Sequence, residues 1–68
     1  MSAQVKYPDV EVELSGQDGN AFAILARVSR ALRRAGVPEA EVSAFREEAT
    51  SGDYEGLLRA AMRWVTVT

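Results

Sequence analysis

Gln17-Asp18-Gly19-Asn20-Ala21-Phe22-Ala23-Ile24-Leu25-Ala26-Arg27-Val28-Ser29-Arg30-Ala31-Leu32-Arg33-Arg34-Ala35-Gly36 reads as one complete helix with both ends marked. Asp18 and Asn20 carry side-chain oxygens that accept from the orphan N–H groups of a first turn. Gly36 stands where a helix commonly ends in the left-handed conformation. Ala21, Leu25, Val28, Leu32 and Ala35 recur at helical spacing, and Ile24 and Ala31 widen that apolar stripe. Arg27, Arg30 and Arg34 fall at i, i+3 and i+7 and so share a second face. Four of the eight basic residues lie in the C-terminal half of this helix, which suits its dipole and also gathers positive charge.

Toward the N-terminus, Ser15-Gly16-Gln17-Asp18-Gly19 is a turn cluster. Before it, Val10, Val12 and Leu14 alternate with Asp9, Glu11 and Glu13, the period of a half-buried strand with an acidic solvated face. Residues 1–8 read as a flexible lead-in. Toward the C-terminus, Gly36-Val37-Pro38-Glu39 stops one helix and starts the next, with Pro38 suited to the first helical position. Val42, Phe45 and Ala49 form the stripe of this second helix, with Arg46, Glu47 and Glu48 turned outward. Asp53 is a natural cap for a third helix beginning at Tyr54, whose apolar side is expected to comprise Leu57, Leu58, Ala61 and Met62, with Val65 a further candidate. Trp64-Val65-Thr66-Val67-Thr68 is aromatic and β-branched, and reads as a second strand.

The pattern predicts a single α+β domain over residues 1–68, ordered strand, three helices, strand. Val10–Leu14 is expected to pair with Val65–Val67 against the helices. Leu25, Val28, Leu32, Phe45, Leu58 and Met62 are expected in the core.

Composition narrows the function. The chain has 68 residues, of which 47% are hydrophobic and 26% charged, as in a globular chain rather than a disordered one. Its net charge of −2 does not favour nucleic acid. It has no cysteine and no histidine, so disulfides, thiolate nucleophiles and the commonest general base and metal ligand are absent. No apolar run approaches the roughly 20 residues of a membrane span. The N-terminal residues lack the apolar region of a secretory signal. These features point to a cytoplasmic protein that is not an enzyme and uses no metal or cofactor. Domains below roughly 70–80 residues rarely bury enough apolar surface to be comfortable alone. Without disulfides or a metal site, self-association is the remaining device, so a homo-oligomer is expected, a dimer first.

Three constellations carry possible chemistry. Arg27, Arg30, Arg33 and Arg34 can bind phosphate or carboxylate through paired hydrogen bonds, or form a solvated face paired with Glu47, Glu48 or Asp53. Duplex DNA would demand more positive charge than this chain holds. Asp18-Gly19-Asn20 opens a helix N-terminus, but it lacks the lysine and glycine spacing of a phosphate loop and the spaced acids of a calcium loop. Capping is the reading it supports. Ser51-Gly52-Asp53-Tyr54 is either a capped helix–helix turn or an aromatic platform, and a base could stack on Tyr54 or Trp64.

The strings Asp18-Gly19-Asn20-Ala21-Phe22-Ala23-Ile24, Ala31-Leu32-Arg33-Arg34-Ala35-Gly36, Glu48-Ala49-Thr50-Ser51-Gly52-Asp53-Tyr54 and Met62-Arg63-Trp64-Val65 together resemble a family of very small proteins. Bacteriophages, prophages and other mobile elements encode them, prominently in actinobacteria. The resemblance covers residues 10–67. It implies a phage source and a cytoplasmic setting during infection, and it carries over no site residues. In that setting the expected function is binding without catalysis. Arg27, Arg30 and Arg34 would hold the phosphate of a small ligand, such as a nucleotide immune signal of the host, while Tyr54 or Trp64 stacks on its base. The alternative is a small helical module of phage origin that binds a host protein or DNA.

Overall fold

In the computed structural model, residues 5–14 and 20–68 are described. They form strand β1 (Tyr7–Val12), helices α1 (Ala21–Arg34), α2 (Glu39–Thr50) and α3 (Tyr54–Trp64), and strand β2 (Val65–Val67). The expected α+β order of one strand, three helices and one strand is the observed one. β1 and β2 pair in parallel in a two-stranded sheet. A parallel pair requires a long crossover, and here all three helices supply it.

The strand boundaries differ from the expected ones. β1 begins at Tyr7, so Tyr7 and Pro8 belong to the sheet rather than to a lead-in. Proline lacks an N–H and is tolerated only at edges and irregularities of a sheet. Both conditions hold, because among the described residues β1 pairs with β2 alone and the register shifts between Tyr7 and Glu11. The Thr66 hydroxyl donates to the Pro8 carbonyl at 2.8 Å and bridges the irregular stretch. Leu14 lies beyond β1, although its N–H still donates to the Thr68 carbonyl.

The helix ends follow local chemistry. The Asn20 side chain accepts from the Ala23 N–H at 3.1 Å. Asp18 and the turn cluster 15–19 lie outside the described residues. α1 ends in a Schellman motif. Val37 N–H donates to the Leu32 carbonyl and Gly36 N–H to the Arg33 carbonyl, with Gly36 at φ 89°. Pro38 stands one position earlier than expected, as the N-cap of α2, and its carbonyl accepts from Val42 N–H. The Asp53 side chain caps α3 by accepting from Gly56 N–H at 2.9 Å.

The sheet and helices enclose one core that includes Val10, Val12, Ile24, Leu25, Val28, Leu32, Val42, Phe45, Leu57, Trp64 and Val65. Leu25, Val28, Leu32 and Phe45 are buried as expected. Met62 is not. It is 54% exposed, and Leu58 is only half-buried. The buried stripe of α3 runs instead through Leu57, Ala60, Ala61 and Trp64, at i, i+3, i+4 and i+7. Trp64 is the last residue of α3 rather than the first of β2, and its large indole turns the helix face.

Candidate functional site

The arginines of α1 lie on its outer side, opposite the stripe that meets the core. Arg27, Arg30 and Arg34 line one groove, of about 390 Å³, between α1 and the end of β1. The expected shared face is therefore present. Among the described residues, no ion pair engages any of the three. The other wall, however, carries Glu11 and Glu13. Anions entering this groove meet carboxylates as well as guanidinium groups. The proposed pairing of the cluster with Glu47, Glu48 or Asp53 is not seen. Arg33 instead pairs with Glu39, Nε to Oε2 at 2.7 Å.

Trp64 is not available to stack on a ligand, which corrects its assignment as a binding residue. It is 5% exposed. Tyr7 stacks on it with ring centroids 5.9 Å apart, and Phe45 meets it edge-on at 5.6 Å. The Lys6 ammonium lies 4.3 Å from the ring centroid, a cation–π contact. The indole N–H donates to Glu48 Oε1 at 3.0 Å. An indole at the end of an amphipathic helix carries too much apolar surface to leave outside so small a core, and its polar edge needs a partner once buried.

Tyr54 is more accessible, but it lies in another groove. It borders a hollow of about 240 Å³ between the starts of α1 and α3, with Phe22, Leu25, Ala49 and Leu57. No arginine lines that hollow among the described residues. Neither Tyr54 nor Trp64 therefore joins the Arg27, Arg30 and Arg34 groove.

Two features were not legible in the sequence. The first is the network around Trp64. Lys6 pairs with Glu41 at 2.8 Å, Tyr7 Oη donates to Glu41 at 3.3 Å, and Arg63 pairs with Glu48. The hydrogen bond from Lys6 holds the Glu41 carboxyl below its ordinary pKa, and the same bond raises that of Lys6. The Arg63 guanidinium, and then the Trp64 N–H, lower that of Glu48. Glu48 is thus turned partly inward rather than outward. Partial burial, and then the nearby negative charge of Glu41, raise the Tyr7 hydroxyl.

The second feature is a groove of about 390 Å³ between α1 and α2, lined by Phe22, Ser29, Arg30 and Arg33 from α1 and by Arg46 from α2. Arg30 borders both this groove and the first. Phe22 lies outside both the apolar and the arginine stripes of the helical pattern. It is 84% exposed.

Among the described residues there is no cluster of three or more acidic side chains that could hold a metal ion. No helix among them is long and apolar enough to cross a membrane. The chain matches no protein-family model, no curated protein and no solved structure.

Proposed function

We propose that this chain binds a small phosphate-bearing ligand without transforming it. The observation that carries the reading is the arginine surface of α1. Arg27, Arg30 and Arg34 line one groove, and none is ion-paired to a described residue. Guanidinium groups meet phosphate through paired, charge-assisted hydrogen bonds. Three such groups along two turns of a helix make an anion platform on an acidic protein. Glu11 and Glu13 on the facing wall oppose any anion there, and a long polyanion more than a compact one. The phage resemblance supplies a setting in which sequestering a nucleotide immune signal in the host cytoplasm is useful, and no catalytic group is needed for it.

Self-association belongs to the same proposal. The acidic residues of β1 guard its free edge against it. Antiparallel pairing of two such edges centred on Glu11 would set Glu11 against Glu11, and Asp9 against Glu13. Like charges directly opposite are destabilising. Met62, 54% exposed on α3, offers apolar surface for this purpose.

Calorimetry with cyclic and linear oligonucleotides, followed by recovery of the ligand after denaturation, tests the function. Saturable binding and intact ligand are expected. Absence of binding across the panel removes the proposal, and a cleaved product turns it into an enzyme. Light scattering at high micromolar concentration tests the assembly, and a monomer with a concentration-independent melting temperature removes that part.

A further inference from the structure

We infer that the groove between α1 and α2 is the place where a nucleotide's ring and phosphate are held together, with Phe22 under the ring and Arg30 and Arg46 on the phosphate. This rests on the reading of the chain as a phosphate-ligand binder, and it names the site and the ligand class.

Four observations favour this groove over its neighbours. It brings arginines from two helices to one cleft, Arg30 and Arg33 from α1 and Arg46 from α2. Among the described residues no carboxylate lines it, whereas Glu11 and Glu13 line the groove of Arg27 and Arg34. It includes an aromatic ring open to solvent, Phe22, which neither Tyr54 nor Trp64 supplies beside an arginine. Ser29 belongs to its wall, is 3% exposed, and its hydroxyl has no hydrogen-bond partner among the described residues. A buried hydroxyl without an acceptor is costly, and a phosphate that displaces the atoms now covering it would supply one.

The dimensions agree with a nucleotide. A volume of about 390 Å³ lies at the small end of ligand pockets, which run from roughly 300 to 1,000 Å³. Phe22 and Arg30 are eight residues apart on α1, or about 12 Å along its axis. Helical side chains lean toward the N-terminus, so both lean the same way, and the greater length of the arginine side chain is what shortens that span. Arg33 is braced by Glu39, which orders one side of the cleft, while no ion pair engages Arg30 or Arg46 among the described residues. A base has a π-face whatever its identity, so stacking on Phe22 gives affinity with little base preference.

The test is a titration of the ¹⁵N-labelled full chain, including its arginine side-chain signals, with adenosine 5′-monophosphate, the linear dinucleotide pApA, a cyclic diadenylate and ribose 5-phosphate. Saturable shifts are expected at Phe22, Ser29, Arg30, Arg33 and Arg46. Arg46→Gln should weaken nucleotide binding about tenfold or more. Phe22→Ala should remove the advantage of the nucleotides over ribose 5-phosphate and leave binding of ribose 5-phosphate itself in place. Both positions are exposed, and the dispersion of the same spectra reports whether each variant is folded. Shifts confined to Glu11, Arg27 and Arg34, with Arg46→Gln binding as the native chain does, overturn the groove and leave the phosphate reading standing. No saturable binding of any of the four probes overturns both.

Discussion

Charge is handled in two opposite ways in this molecule. Around Trp64 each cation has an anion, Lys6 with Glu41 and Arg63 with Glu48, and the carboxylates also accept from the Tyr7 hydroxyl and the indole N–H. On the outer side of α1, Arg27, Arg30 and Arg34 have no such partners among the described residues. The first arrangement covers a core indole and satisfies its polar edge, so its role is stability. The second leaves guanidinium groups with unused donors, which contribute little to folding and are free to meet an anion. A sequence shows eight basic residues of one kind or another. Only the fold divides them into those that are spent within the protein and those that are available.

The largest effect should come from the compensated side. Trp64→Ala removes an indole packed between Tyr7 and Phe45 and should cost about 3–5 kcal/mol. Trp64→Phe keeps a ring there but loses the bond to Glu48, and should cost less. Urea denaturation monitored by circular dichroism checks both. If Trp64→Ala cost less than about 1 kcal/mol, the division drawn here between structural and available residues would fail at its firmest point.

On the open side, binding and stability should separate. Arg30→Gln alters the residue that borders both arginine grooves. It should weaken a phosphate ligand by about 1.5–3 kcal/mol, roughly ten- to a hundred-fold. Its unfolding free energy should stay within about 0.5 kcal/mol of the native value, as for ordinary surface substitutions. Calorimetry and denaturation of the same sample give both numbers. A large stability loss without a binding loss would move Arg30 to the structural class.

Much of this fold is legible from local signals. Asn20, Gly36 and Asp53 act at the helix ends where their chemistry predicts, and the alternation at Val10 and Val12 marks a strand with both residues inward. Such signals lie within a few residues of their effect. What was not legible depends on contacts across the chain. The α3 face turns Met62 outward, against expectation, because Trp64 belongs to the helix and takes the inward position. Its true environment is set by Tyr7, 57 positions earlier, and by Phe45. The same holds for the arginines. Their shared helix face follows from spacing, but the carboxylates opposite Arg27 and the approach of Arg46 to Arg30 follow from packing. An aromatic residue named from sequence as a stacking platform can as easily be the center of the core.

Acid should act on the compensated side. Glu41 and Glu48 have lowered pKa values in the folded chain, chiefly through Lys6 and Arg63 respectively. A depressed carboxyl stabilises the fold above its ordinary value of 4.5, and that contribution is lost as pH falls through the lower folded value. Lys6 has the opposite sign. Its contribution is complete below 10.5 and is lost as pH rises through the higher folded value. The melting temperature should therefore decline below about pH 4.5, and Glu48→Gln should flatten that decline. Trp64 is the sole tryptophan, so its fluorescence follows the network directly. A melting temperature constant from pH 6 to pH 3 would show that these pairs contribute nothing measurable.

The smallest effect lies at Ser29, where the two kinds of region meet. Ser29 is on α1, buried against the core, yet it belongs to the wall of the open groove between α1 and α2. Its hydroxyl lacks a partner among the described residues. Removing an unsatisfied buried hydroxyl relieves a desolvation penalty and leaves only a small loss of packing. Ser29→Ala should therefore leave stability unchanged or raise it by up to about 1 kcal/mol in the absence of ligand. With ligand the sign should reverse, because a phosphate that displaces the atoms covering the native hydroxyl gives it an acceptor. The thermal shift produced by pApA should be smaller in Ser29→Ala than in the native chain. Differential scanning calorimetry with and without the dinucleotide measures both signs. A destabilised variant with an unchanged ligand shift would place Ser29 wholly on the structural side, with its hydroxyl bonded inside the protein.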